Sequence, residues 1–403
     1  MSDAAGWRPW ELAYCSNVHP GESADDLLAT IKRYIATVRS QRQLNQLATG
    51  LWLPAVVARQ LASNAELVAR FRDTLSENGI VLCTVNGFPY GGFHAARVKE
   101  AVYAPDWSDP ARSAYTLDIA NVLAELAPTK LTEATISSLP LGFAADWSSD
   151  KHQLAARALA RTAAELQKIH ERTGKRVRVC LEMEPACVLE TTAQAVHFFT
   201  HDLPAAAHAI DITANALNDY LGVCYDVCHQ AVMFEDPAES LHALAQAGVV
   251  VGKIQISSAL HIANPTDTTA QAALAEFAEP RYLHQARSQH STTTCPDLPN
   301  ALAGELPNNA PWRVHFHLPI HAQTMLAGLA TTQAEIGRVL DYAATHPTWR
   351  PQLEVETYTW QVLPPNLRPT NDSELVQGFS RELDWLSAQL YQRNLLNKPC
   401  LSG

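Results

Sequence analysis

Eight short runs of β-forming residues recur along this chain, each separated from the next by text with helical periodicity, and that alternation constrains the fold more than any other feature. The runs are ELAYCSN (11–17), TGLWLPA (49–55), IVLCTVNGF (80–88), EATISSLPL (133–141), VRVCLEME (177–184), LGVCYDV (221–227), VVVGKIQIS (249–257) and QLEVETY (352–358). Most are continuous apolar stretches rather than strict alternations, as expected of strands covered on both faces by helices in a parallel sheet. Amphipathic helical segments fall at 23–39, 55–78, 110–126, 151–173, 191–202, 236–247 and 332–345, several opening after Ser, Asp or Thr caps. Strand and helix alternating over a whole chain predict an α/β fold. Eight strands, with no GxGxxG after the first, favour a closed (β/α)8 TIM barrel over an open dinucleotide-binding sheet, and make residues 1–403 one domain.

One stretch interrupts the count. Residues 258–331 stand between the seventh and eighth strands as an insertion, carrying turn-rich polar text (SQHSTTTCPDLPN, 288–300) and an extra strand-like run, WRVHFHLPI (312–320). Long insertions in such barrels are usually active-site loops, so this one is expected on the functional face, with a mobile loop near 286–311. Residues 386–403 read as a peripheral tail, a helix followed by a frayed end.

Composition narrows the partners. A formal charge of -11 with no long basic run disfavours nucleic acid. No apolar stretch approaches the roughly 20 residues of a bilayer span. MSDAAGWRPWEL has neither the basic start nor the apolar core of a signal peptide, so a cytoplasmic location is expected. The eight cysteines fit neither CxxC zinc spacing nor a small disulfide scaffold and read mostly as small core residues.

In a barrel of this kind the chemistry sits at the C-terminal ends of the strands. The fifth run ends CLEMEP, which puts Glu182 and Glu184 on the same side of the strand. The sixth ends YDVCH, with Asp226 and His229; the seventh carries Gln255; the eighth carries Glu354 and Glu356; and the extra strand carries His315 and His317. A lone strand-end Glu is more often a helix cap or the partner of a Lys. Several together, at strand ends almost free of Lys and Arg, would repel one another unless a cation lay between them. Oxygen and nitrogen ligands converging from several strands describe a divalent-metal site of the Mn, Co, Mg or Zn type. Asn86 in VNGFPYGG, followed by His94, Arg97, Lys99 and Tyr103, rims the same mouth, where turn composition alone also accounts for the pattern. Asn17 and His19 end the first strand on the same face. Most of the tryptophans, at 52, 107, 147, 312, 349 and 360, are expected simply to fill space.

The strand-end phrases LEMEP, YDVCH, KIQIS and LEVET resemble the xylose isomerase-like TIM-barrel superfamily of sugar and sugar-phosphate isomerases and epimerases. YCSNVHPGES, NGFPYGGFH, VKEAVYAPDW and LEVETYTW are similar, over residues 10–365, to the EboE metabolite-traffic proteins of bacterial ebo gene clusters. The superfamily resemblance implies metal ligands at Glu182, Asp226 and Glu356, with Glu182 and Glu356 also as catalytic acid and base and His229 orienting substrate. It departs at the seventh strand, where Gln255 stands in place of a histidine. Either Gln255 binds the ion through its weaker carbonyl oxygen, or His315 or His317 replaces the missing imidazole. Glu184, Glu354, His315, Asn86 and His19 remain candidates for substrate contact.

Two functions follow: a metal-dependent isomerase or epimerase of a sugar-like or polyol metabolite working by proton transfer next to a carbonyl, or a traffic protein that keeps the pocket and only binds. A metal-dependent DNA repair nuclease shares the fold but needs a basic groove and further histidines on strands two to four, where TGLWLPA, NGF and SSLPL offer none. A homo-oligomer stays open.

Overall fold

The computed structural model describes residues 6–397. Eight parallel strands close into a barrel: β1 (Ala13–Cys15), β2 (Leu47–Trp52), β3 (Ile80–Asn86), β4 (Glu133–Ser138), β5 (Arg176–Glu182), β6 (Leu221–Asp226), β7 (Val251–Ile256) and, after four strands outside the barrel, β12 (Gln352–Val355), which closes on β1. All eight expected runs are barrel strands. They pair in sequence order, and β12 sits between β7 and β1.

Helices clothe the ring. The segment from Ala24 to Gln41 is one helical run with a π-turn at Ile31–Ile35. The expected helix over 55–78 is two, Ala55–Ser63 and Ala65–Glu77, because Asn64 leaves the helical region (φ -134°, ψ 98°) and caps the second through Leu67 N. Pro110–Leu126 starts at a proline behind the Asp109 cap, and Ser149–Thr173 ends where Gly174 takes a left-handed φ of 70°.

The insertion folds differently from the expectation. Instead of one surplus strand and a mobile loop, β8 (Leu260–Ile262), β9 (Ala286–Ser288), β10 (Trp312–Val314) and β11 (Leu329–Thr331) form an antiparallel sheet in the order β11-β8-β10-β9. The polar text between β9 and β10 is pinned by Cys295 and Leu298, both fully buried, and by Asp297, which pairs with Lys99 at 2.6 Å. The tail also differs. Asp372–Gln392 is a long helix whose Leu383, Leu386 and Leu390 lie fully inside the core, so it is a wall rather than a peripheral appendage. Residues 398–403, the expected frayed end, lie outside the described residues, as does Cys400; the other seven cysteines are free and buried. Among the described residues no helix is long and apolar enough to cross a membrane.

The floor of the barrel is polar. Lys253 on β7 and Glu354 on β12 make a fully buried ion pair at 2.6 Å, and Lys253 Nζ also donates to Ser137 Oγ at 3.1 Å. Room for that pair comes from Gly50 on β2: a Cβ there would lie 1.5 Å from Glu354 Oε1 and 2.9 Å from Thr84 Cγ2.

Candidate functional site

The YDVCH phrase is the end of a strand and the start of a helix. Asp226 finishes β6 and caps the short helix Val227–Val232, its Oδ1 accepting from His229 N at 2.9 Å and from Ser257 Oγ at 2.8 Å. The spacing of three is therefore that of a cap and the third residue of its helix. It leaves Asp226 Oδ2 buried without a hydrogen-bond partner and lays the His229 ring against the end of β5, where Nδ1 meets Met183 O at 2.9 Å.

Glu182 from β5, Asp226 from β6 and Glu356, just past β12, each bring a carboxylate oxygen to one point, the three atoms lying within 4.8 Å of one another and all buried. Glu182 Oε2, like Asp226 Oδ2, has no hydrogen-bond partner. Glu356 Oε1 accepts from Asn17 Nδ2 at 2.7 Å and Asn86 Nδ2 at 2.8 Å, which fixes its rotamer from the ends of β1 and β3. Burial, then the neighbouring carboxylates, drives the Glu182 and Glu356 carboxyls well above the usual range. Lys253 lies below and opposes that shift, but its short contact is with Glu354. An oxygen set of this density, with two orphaned buried oxygens, fits a divalent cation.

Above the carboxylates stand three imidazoles. His315 and His317 follow β10, where the chain leaves the inserted sheet and crosses the mouth of the barrel. His317 Nδ1 meets Glu356 O at 2.8 Å, and its Nε2 lies 3.9 Å from Asp226 Oδ2 and 3.4 Å from His229 Nε2. His315 Nδ1 meets Gln285 Oε1 at 2.6 Å, and its Nε2 lies 3.1 Å from His229 Nε2. Burial holds His315 well below the usual histidine range and His317 at about 4.

The remaining expected residues divide. Glu184 lines the cavity, held by Tyr103 Oη at 2.7 Å and Gln285 Nε2 at 3.2 Å, and burial raises its carboxyl. Asn86 and His229 line it too. Glu354 does not: it is sealed beneath the site in the pair with Lys253, because a strand residue two back from Glu356 shares its face but lies a layer deeper in the barrel. His19 also lies away from the cavity. The 3-10 turn Ser16–Val18 swings it outward, where it stacks on Tyr34 at 4.0 Å and bonds Tyr14 Oη at 3.2 Å. Gln255 is fully buried on β7, in register between Asp226 and Glu354, with neither amide atom hydrogen-bonded. Lys99 is spent on Asp297 and on Tyr282 O, Arg97 is exposed, and His94 caps Asn17 O at 2.8 Å.

Sequence reasoning missed Gln285, Tyr282, Tyr358 and Lys253. Only Lys253 had a signal, the period of two that puts it on the face of Gln255. The cavity bounded by these groups is small, about 60 Å³, and roofed by Phe93, Val98, Tyr282 and Tyr358.

No protein-family model and no curated protein matches the sequence. Among solved structures the chain is similar to a xylose isomerase domain protein from Planctomyces limnophilus (12% identity, 96% of this chain and 99% of that one, TM-score 0.50). Two further likenesses are the apo form of a 3-keto-D-glucoside 4-epimerase from E. coli (12% identity, 94% and 99%, TM-score 0.45) and an IolI protein with a bound zinc atom (10% identity, 94% and 98%, TM-score 0.45). The architecture is thus a closed eight-stranded parallel barrel of the xylose isomerase-like type.

Proposed function

We propose that this chain is a divalent-metal-dependent isomerase or epimerase of a small sugar-like or polyol metabolite, phosphorylated or not, acting in the cytoplasm. The observation that carries the reading is the convergence of Glu182, Asp226 and Glu356 from three strands with two buried oxygens left unpartnered. These three would hold the cation (Mn, Co, Mg or Zn), with Gln255 or His317 completing the set. When bound, such an ion supplies Lewis-acid polarisation of a substrate carbonyl or hydroxyl oxygen.

The side chains supply the proton transfer. Burial and the neighbouring carboxylates raise the proton affinity of both carboxyls before any ion is bound. Glu182 takes the proton from the carbon next to the carbonyl, and Glu356 returns one to the neighbouring carbon or to the opposite face. Asn17 and Asn86 keep Glu356 aimed; His229, Glu184 and His315 receive substrate hydroxyls. Phe93, Tyr282 and Tyr358 line the cavity and give the proton being moved an apolar surround on that side.

The test is exchange of carbon-bound hydrogen with solvent. Ketoses and polyol ketones incubated with the protein in D₂O should gain deuterium next to the carbonyl, read by NMR, and Glu182→Gln should slow this by roughly 10²–10⁴-fold. Absence of exchange and of product across the panel, with metal bound, overturns the catalytic reading. Gln255, in place of an imidazole at the end of β7, favours a second reading, a metabolite-binding protein of the ebo type that carries its ligand unchanged. Calorimetric binding without product identifies that case.

A further inference from the structure

The cavity that Glu182 and Glu356 share has two unlike faces. On the strand-end face, Asn17 Oδ1 and Glu182 Oε2 are buried without hydrogen-bond partners. The other face is Phe93, Val98, Val102, Tyr282 and Tyr358. Its two hydroxyls are engaged: Tyr282 Oη donates to Phe93 O at 3.3 Å, and Tyr358 Oη stands 3.5 Å from His315 Nε2. The ring centroids of Phe93 and Tyr282, Phe93 and Tyr358, and Tyr282 and Tyr358 lie 5.1, 5.5 and 5.0 Å apart, at interplanar angles of 37°, 63° and 80°. They form a corner rather than a flat platform on which a sugar ring would stack. A hydroxyl driven into that corner gives up water and gains no partner.

Charge narrows the guest further. Fixed positive charge among the described lining residues comes from Lys99 alone, and its Nζ is spent on Asp297 Oδ2 at 2.6 Å and Tyr282 O at 2.5 Å. Arg97 is exposed, and Arg281 lies outside the lining with its guanidinium 5.9 Å from the Tyr282 ring centroid. The helix Val227–Val232 has its N-terminus capped by Asp226. Glu182, Asp226 and Glu356, ionised as ligands, would outweigh a divalent ion, and Glu184 lines the same space. A phosphate monoester, with about -1.5 to -2 charges, would meet these carboxylates with no free cation or helix end to receive it. We propose that the ligand of this site is a neutral, phosphate-free ketose or polyol with an apolar end. Its oxygens face Asn17, Glu182 and Glu356, and a deoxy, alkyl or aryl group fills the corner of Phe93, Val98 and Tyr282. This class rests on the reading of the site as one for a sugar-like ligand, and narrows it.

The test is calorimetric binding to the full-length protein in excess manganese(II), with the D-2-ketohexoses as probes, each as the free sugar, the 6-phosphate and the 6-deoxy sugar. The 6-deoxy sugar of the preferred stereoisomer should bind roughly 10–10²-fold more tightly than its parent, since an apolar corner favours a methyl group over a hydroxymethyl by that order. The 6-phosphate should bind at least about tenfold more weakly than the parent, because it adds charge that nothing receives. Val98→Thr keeps the side-chain shape and adds a hydroxyl; it should narrow the gap between deoxy sugar and parent several-fold while leaving the phosphate excluded. A 6-phosphate that binds as tightly as the parent overturns the proposal, as does a deoxy sugar with no advantage, or a neutral set in which nothing binds. Hydrogen exchange in D₂O on the same panel separates this from the reaction. Preference for the neutral deoxy sugar without exchange keeps the ligand class and overturns the isomerase; fastest exchange with a 6-phosphate keeps the isomerase and overturns the ligand class.

Discussion

At the scale of single residues, the structure sets one requirement against another. Glu182 and Glu356 are buried side by side, and their raised proton affinity destabilises the metal-free fold as pH rises. A carboxyl whose folded pKa lies above its unfolded value contributes fully below the unfolded value and loses that contribution as pH climbs toward the folded one. Metal-free protein should therefore melt at a higher temperature near pH 5 than near pH 8. Glu182→Gln should flatten that slope and stabilise the metal-free chain at pH 8 by roughly 1–3 kcal/mol while weakening metal uptake. Scanning calorimetry against pH, in chelator, checks the sign. Asp226→Ala removes both an unpartnered oxygen and the cap on the following helix, so it should abolish uptake at the carboxylate site and cost roughly 1–2 kcal/mol, read by elemental analysis and urea denaturation.

At the scale of elements, two contacts hold the site to its scaffold. The buried pair between β7 and β12 is worth little against an apolar replacement but much against a half-replacement. Lys253→Met should cost about 3–5 kcal/mol by leaving Glu354 charged and alone, and Lys253→Met with Glu354→Leu should recover most of it. Urea midpoints of the two variants give the comparison. The second contact is Glu382 on the Asp372–Gln392 helix, which accepts from Thr357 Oγ1 at 2.6 Å, Ile320 N at 3.0 Å and Trp360 Nε1 at 3.1 Å. It thereby ties the end of β12 to the segment after β10 that carries His317. Burial raises its carboxyl to about 7, so its stabilising share is complete below about pH 4.5 and gone above about pH 7. Glu382→Gln should remove that part of the pH dependence, on the order of 3 kcal/mol across the window, seen as a shallower melting profile. This helix was poorly legible in the sequence. Its Leu375, Phe379, Leu383, Leu386 and Leu390 follow helical spacing, yet a reading that starts at 386 sees only the end of the stripe. The barrel strands were legible because burial on both faces forces unbroken apolar text, whereas SQHSTTTCPDLPN looked mobile because Cys295 and Leu298, its two anchors, are single apolar residues in polar surroundings. Among the site residues, strand parity gave the right face for Glu182 and Glu356 but not the depth of Glu354, and no local rule foretells the outward turn at His19.

At the scale of the whole molecule, the barrel brings together residues from both ends of the chain. Asn17 and Glu356 meet at 2.7 Å, and Gln285 reaches across from the insertion to Tyr103 at 2.8 Å. The roof joins the same distant segments: Trp52, Phe93, Val98 and Tyr282 form an apolar cluster with Tyr358 packed against it, and Val102 and Val362 bridge it to the main core. Phe93, Val98, Tyr282 and Tyr358 line the cavity together with Glu182 and Glu356, so a ligand that reaches the carboxylates passes this cluster. Admission is thus a toll levied by the aromatic plug rather than by the acid groups below. Phe93→Ala should speed ligand arrival several-fold in stopped-flow fluorescence and, by letting solvent follow, slow the proton step once the guest is inside.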